Sequence, residues 1–285
     1  VYNYKWVFIT AFVLIVSILA WTKLAAPPEG SAIGPAKAPS LNEVDAEPNA
    51  AQIKQGRNYI NSTSRLLPAH TGNTMSCASC HATGAVGGSL DLVGVTKEYP
   101  QYNKRAGKVV SIEERINGCF KRSMNGEPLD LDGEEMQAMV SYLDYISKDT
   151  PDGIKGRPWT EIALEGEMPE PDLSNGKQVY ENSCIACHGT DQAEQYGLAV
   201  FGENSYNDGA GMNRLRTTAG FIQNYMPKET MGGVQPGGLS RQEAVDVAAY
   251  INSKGRPVMK GKENDYPNGD PPDDLAYPIN STSKK

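Results

Sequence analysis

The sequence predicts an all-α protein, two small helical domains in tandem preceded by a single membrane-spanning helix. Three observations carry that expectation. The chain aligns on itself at an offset of 107 residues, which sets Cys77 on Cys184, Cys80 on Cys187 and His81 on His188, and self-similarity at a fixed period marks a repeated supersecondary unit. Each copy has a helix candidate before its cysteines and a capped amphipathic segment after them. An uncharged apolar run opens the chain.

Between Lys5 and Lys23 lie 17 uncharged residues, Trp6 to Thr22, at the lower end of the ~17–25 that a spanning helix needs. Trp6 and Trp21 stand where interfacial aromatics belong, and Lys23 can snorkel. Residues 1–26 are therefore expected to be an uncleaved single-pass anchor, with a cleaved signal peptide as the competing reading. Five prolines and no apolar period make 27–50 a tether. Helix candidates follow at Ala51–Ile60 and Ser174–Glu181. Downstream, Asp132 and Glu135 read as N-cap and N3 ahead of Met136, Met139, Val140 and Leu143. Ser240 and Glu243 take the same parts ahead of Ala244, Val247, Ala248 and Ile251, with Gly255 and Pro257 as stop signals. The 3-4 spacing gives each helix one buried stripe. The domains are accordingly 51–150 and 174–258, joined by a proline- and acid-rich linker over 151–173. Residues 259–285 form an extended tail without helical period.

A length of 285 residues suits about two domains, and 29 Gly with 19 Pro imply much loop. The net charge of -7 argues against nucleic acid as a partner. Both cysteine clusters spell C-x-x-C-H, in which two thiols form thioethers to haem vinyl groups and the histidine becomes an axial ligand. A zinc half-site or a redox dithiol competes for one such copy. Two copies, each with its histidine, point to two covalently bound haem c groups on Cys77, Cys80 and His81 and on Cys184, Cys187 and His188. Such attachment belongs outside the bacterial cytoplasmic membrane, so the anchor predicts haem domains on its periplasmic face. From about residue 50 to 258 the order of helix, motif, loops, distal ligand and C-terminal helix resembles a class I cytochrome c. The expected fold is therefore two class I cytochrome c-like domains in tandem.

The distal ligands carry the functional question. In the second repeat, Met226 lies in Asn224-Tyr225-Met226-Pro227 and resembles the methionine corner of that class. Met231 and Met212 compete with it. In the first repeat the equivalent position, 38 residues past the histidine, is the spare thiol Cys119. Met124 is the alternative there, since Met231 occupies the same offset in the second repeat, and His70 is a poorly placed third candidate. Lys104, Arg105, Lys108, Arg115, Lys121 and Arg122 oppose only Glu113 and Glu114 around this thiol. A local excess of cations lowers a thiol's pKa and gathers small anions.

The run Arg115-Ile116-Asn117-Gly118-Cys119-Phe120-Lys121-Arg122-Ser123-Met124-Asn125-Gly126 resembles the active-site segment of dihaem thiosulfate dehydrogenases, relatives of the SoxA cytochromes. That resemblance implies His81/Cys119 ligation at a catalytic first haem, with Ser123 and Arg105 as active-site residues; Arg105, Lys121 and Arg122 are the candidates for the cations needed to bring two dianions together. It implies that thiosulfate is coupled to tetrathionate, or the reverse, and that electrons leave through the second haem. The expected partners are a small sulfur oxyanion and an acceptor cytochrome or membrane respiratory complex. The alternative is a non-catalytic dihaem electron-transfer subunit of such a complex.

Overall fold

The computed structural model describes residues 37–151, 157, 162–190 and 197–280. The anchor expected over 1–26 lies outside them. Among the described residues no helix is long and apolar enough to cross a membrane. They contain six helices of eleven residues or more.

Two helix pairs, one per repeat, organise the fold. In the first, α1 (Ala50–Asn61) crosses a helix near residue 140, and a Cβ built on Gly56 would sit 1.9 Å from the Ala138 carbonyl oxygen. Only glycine permits so close a backbone approach. The second pair repeats the contact, with Gly176 placing its absent Cβ 2.1 Å from the Asp246 carbonyl oxygen. Neither glycine was singled out from the sequence.

Between the members of the first pair come a hairpin and a helix. Strands β1 (Gln101–Asn103) and β2 (Lys108–Val110) are antiparallel, with Tyr102 opposite Val109, so the fold is helix-rich but not purely helical. Helix α2 (Ile112–Arg122) begins at a capping box in which Ser111 and Glu114 each accept the other's backbone N–H, at 3.3 and 3.0 Å. Helix α3 (Glu134–Ser147) starts one residue later than expected, with Gly133 rather than Asp132 at its N-cap. The Asp132 amide instead donates to Asp130 Oδ1 at 3.2 Å, a local turn that competes with the helix for the cap position.

In the second repeat, α4 (Leu173–Ser183) is capped by Asp172, which accepts from the amides of Ser174 and Asn175. Helix α5 (Leu215–Tyr225) stops at Met226, and α6 (Arg241–Asn252) opens with the expected Ser240/Glu243 capping box. Two cores result. Phe120, Met136, Met139, Tyr142 and Ile146 centre the first; Tyr180, Phe201, Val245, Val247 and Ala248 centre the second. The first core also takes in Tyr206 and Ala210 from the second repeat.

The described part of the tail, which includes a short 3-10 helix at Lys262–Asn264, is firmly anchored. Tyr266 and Tyr277 are buried, the Tyr266 amide donates to the Arg105 carbonyl at 2.9 Å, and Asp274 pairs with Arg214 at 2.7 Å. It is a strap held by single aromatic and acidic side chains, without the period that would reveal them in sequence.

Candidate haem centres

The first centre is a cleft of about 580 Å³, its open mouth included, lined by Cys77, Cys80, His81, Cys119, Ser123 and Met124 among apolar neighbours. Thr63 fixes its floor: its hydroxyl oxygen accepts the Cys77 amide at 3.0 Å, and its hydroxyl donates to the Tyr59 carbonyl at 2.7 Å. His81 Nδ1 donates to the Leu90 carbonyl at 2.6 Å. Since a carbonyl can only accept, this sets the tautomer and leaves Nε2 as a free lone pair for a metal. Burial holds the His81 imidazole down to about 4, so it stays neutral and able to ligate. Burial also pushes the Cys77 thiol up to about 12 and Cys80 to about 11, as expected of groups set against an apolar macrocycle edge.

Cys119 faces this cleft from α2, one turn before its end. Arg115, one helical turn earlier on the same face, donates Nη1 to Cys119 Sγ at 2.8 Å. The charge of Cys119 pushes the guanidinium above its ordinary value, and Tyr99 hydrogen-bonds the same group. Neither Arg115 nor Tyr99 was assigned a site role from sequence. The i, i+4 spacing of Arg115 and Cys119 on a helix was the available signal.

Three of the remaining cations, Arg105, Lys108 and Arg122, are paired elsewhere. Arg105 and Arg122 do not line the cleft; both donate to the Gly209 carbonyl, at 3.0 and 2.9 Å, and both approach Asp265, at 3.8 and 2.8 Å. Lys108 pairs with Glu114 at 2.6 Å. Ser123 caps α2, and its carbonyl accepts the Asn73 side-chain amide at 2.9 Å. Met124 lines the cleft and is also 3% exposed in the first core. His70 turns away, Nδ1 against the Pro128 carbonyl at 3.2 Å.

At the second centre, His188 Nδ1 donates to the Leu198 carbonyl at 2.8 Å, the counterpart of the His81 bond. Burial lowers His188 and pushes Cys184 up to about 12. Cys187 is exposed. Met226 is the C-cap of α5 and packs with Cys184 against the second core. Met231 lies in a turn bridged to Val234. Met212 packs against the first core.

Both C-x-x-C-H segments thus have the histidine tautomer that a haem ligand requires, and the two centres differ in the residues brought near them. These features define a dihaem c-type cytochrome with two covalently bound haem c groups. The SoxA/TsdA cytochrome c domain profile matches residues 68–151 and the cytochrome c profile matches residues 173–254. The thiosulfate dehydrogenase of Psychrobacter arcticus is 38% identical over 247 residues, 84% of this chain and 74% of its own. That of Allochromatium vinosum is 36% identical over 75% of this chain and 81% of its own. A solved thiosulfate dehydrogenase (TsdBA) of Marichromatium purpuratum superposes with a TM-score of 0.68 at 29% identity, over 78% of this chain; this chain spans 49% of that one. The chain belongs to the thiosulfate dehydrogenase family.

Proposed function

We propose that this chain couples two thiosulfates to tetrathionate, or catalyses the reverse, at the first centre and passes the electrons out through the second. The observation that carries this reading is the 2.8 Å hydrogen bond from Arg115 to Cys119 in a cleft shared with His81. Two dianions held 4 Å apart repel by about 4 kcal/mol even at the dielectric of water, and by more in a cleft. A fixed cation at the reacting sulfur offsets that repulsion, and Arg115 stands there.

In this reading Cys119, with His81, would hold the first haem and Met226, with His188, the second, with Met124 and Met231 as the alternatives. Haem held by these residues would take up the two electrons singly. The Cys119 thiolate bonds to the outer sulfur of one thiosulfate as two electrons leave, giving a Cys–S–S–SO3⁻ adduct. A second thiosulfate attacks that outer sulfur, forms the central S–S bond of tetrathionate and releases the thiolate. Ser123 donates a hydrogen bond to the sulfonate oxygens. Arg105 and Arg122 act from behind the cleft, their charges partly balanced by Asp265. The anchor expected over 1–26 would hold these domains at the periplasmic face of the cytoplasmic membrane, next to an acceptor cytochrome or respiratory complex.

Anaerobic addition of thiosulfate to the holoprotein, followed at the haem α band, tests the proposal. Cys119→Gly is expected to abolish thiosulfate-dependent reduction while a strong chemical reductant still reduces both haems. Undiminished reduction by thiosulfate would remove Cys119 from the chemistry and leave a chain that only transfers electrons.

A further inference from the structure

The stretch 198–210 belongs to the second repeat yet touches both centres. At its start the Leu198 carbonyl holds His188 at 2.8 Å while the Leu198 side chain packs against the first core. Further along, Tyr206 is 4% exposed within that core, in the cluster that Cys80 packs against. Arg256, just past α6, covers the Tyr206 ring with its guanidinium carbon 4.4 Å from the centroid. The same guanidinium donates to the carbonyl of Ile251 at 2.9 Å, a residue of the second core.

The backbone around Tyr206 is pinned to the active-site helix. The Asn73 amide donates to both the Ser205 and the Ser123 carbonyls, at 3.2 and 2.9 Å. Asn207 Nδ2 donates to the Lys121 carbonyl at 2.8 Å. Cys80 and Leu198 pack against the apolar cluster that contains Tyr206, so the Cys80 side of the first centre meets the second repeat there.

We infer that Tyr206, clamped by Arg256, couples the two haem centres, linking the Cys80 edge of the first to the His188–Leu198 side of the second. The inference rests on the two-centre relay proposed above. One electron leaves the reduced first centre and one arrives at the second, with no proton moved. Burial pushes the Tyr206 phenol up, and the arginine over its ring disfavours removing an electron from it. Tyr206 is thus a packed bridge rather than a redox station: electronic coupling falls faster across a void than through packed side chain and backbone.

The test uses holoprotein without thiosulfate. A photochemical reductant injects one electron, and re-equilibration between the two haems is followed at wavelengths where they differ, with both potentials measured separately. Tyr206→Leu is expected to slow equilibration, with both potentials unchanged. Tyr206→Phe, which keeps the ring, should stay near the wild-type rate. A wild-type rate in Tyr206→Leu overturns the inference. Where that variant does not load haem, Arg256→Met decides. It keeps the apolar stem but frees the ring, and a wild-type rate there is equally fatal. Because no thiosulfate is present, failure of the sulfur chemistry is read separately from failure of the bridge.

Discussion

Replacing Asp265 by asparagine tests whether the tail is held to the first domain by charge. The carboxylate accepts from Arg122 Nη2 at 2.8 Å and from the Tyr277 hydroxyl, and it lies 3.8 Å from Arg105 Nε. Side chains of Asp265, Arg122 and Arg105 are only 10, 15 and 21% exposed. Removing one partner of a buried pair costs ~3–5 kcal/mol because the other charge stays buried without compensation. Asparagine keeps an accepting oxygen and Arg105 keeps some contact with water, so the lower end applies, about 3 kcal/mol. At roughly 2–4 °C per kcal/mol for a chain of this size, Asp265→Asn holoprotein should melt roughly 6–12 °C lower. Unfolding followed by far-UV circular dichroism and the Soret band reads this directly. Adding Arg122→Met should restore part of the loss, since one stranded charge goes with it. A melt within about 2 °C of wild type would place the network among exposed pairs worth ~0–1 kcal/mol and refute an electrostatic strap.

Three further outcomes are expected. Gly176→Ala drives a methyl to 2.1 Å from the Asp246 carbonyl oxygen, a backbone atom that cannot swing aside; a loss of about 1–3 kcal/mol of stability, read as a lower denaturant midpoint, should result, and an unchanged midpoint would mean that the helices slide apart freely. The Tyr277 phenol is pushed above its ordinary value of 10.0 by burial and then by its hydrogen bond to Asp265. A raised folded-state value gives stabilisation that is complete below the unfolded value and lost as pH rises toward the folded one. Tyr277→Phe should therefore flatten the decline in stability above pH 10, and an equally steep decline would exclude Tyr277 as its source. Met226→Ala should lower the potential of the second haem, since thioether ligation raises it, whereas Met231→Ala should leave it in place. The opposite pattern in a redox titration would transfer the ligand role to Met231.

The parts legible in sequence are those that local chemistry dictates. Thioether attachment fixes the spacing of Cys77, Cys80 and His81, and the 3.6-residue period betrays the stripes of α3 and α6. The Ser111-x-x-Glu114 box opening α2 is written in the same code as Ser240-x-x-Glu243 and was open to the same reading. Charge counting was less informative, because summing Lys104 to Arg122 cannot say which cations meet a carboxylate. Asp265, which balances Arg105 and Arg122, lies more than 140 residues away. Arg115 shows no long-range partner in sequence; its significance is its place one turn before Cys119. The close approaches at Gly56 and Gly176 likewise depend on helices far apart in the chain, and a lone glycine in a helix gives no sign of what crosses it.

The asymmetry between the two centres resides in residue pairs rather than in single ligands. The offset of 107 that sets Cys119 on Met226 also sets Arg115 on Ile222. In the first repeat the thiol is presented from inside α2, with the cation one turn behind it at 2.8 Å. In the second, α5 ends at Met226, whose extended backbone (φ -125, ψ 149) launches a longer, uncharged side chain, and Ile222 is 7% exposed in the apolar core. Under the proposed ligation each pair is self-consistent. A thiolate opposite Ile222 would lack the cation that keeps it ionised, and an arginine behind a thioether would bury an unpaired charge. Converting one centre into the other therefore requires both changes together. Single exchanges at Cys119 or Met226 should cost more than the double exchange with Arg115 or Ile222.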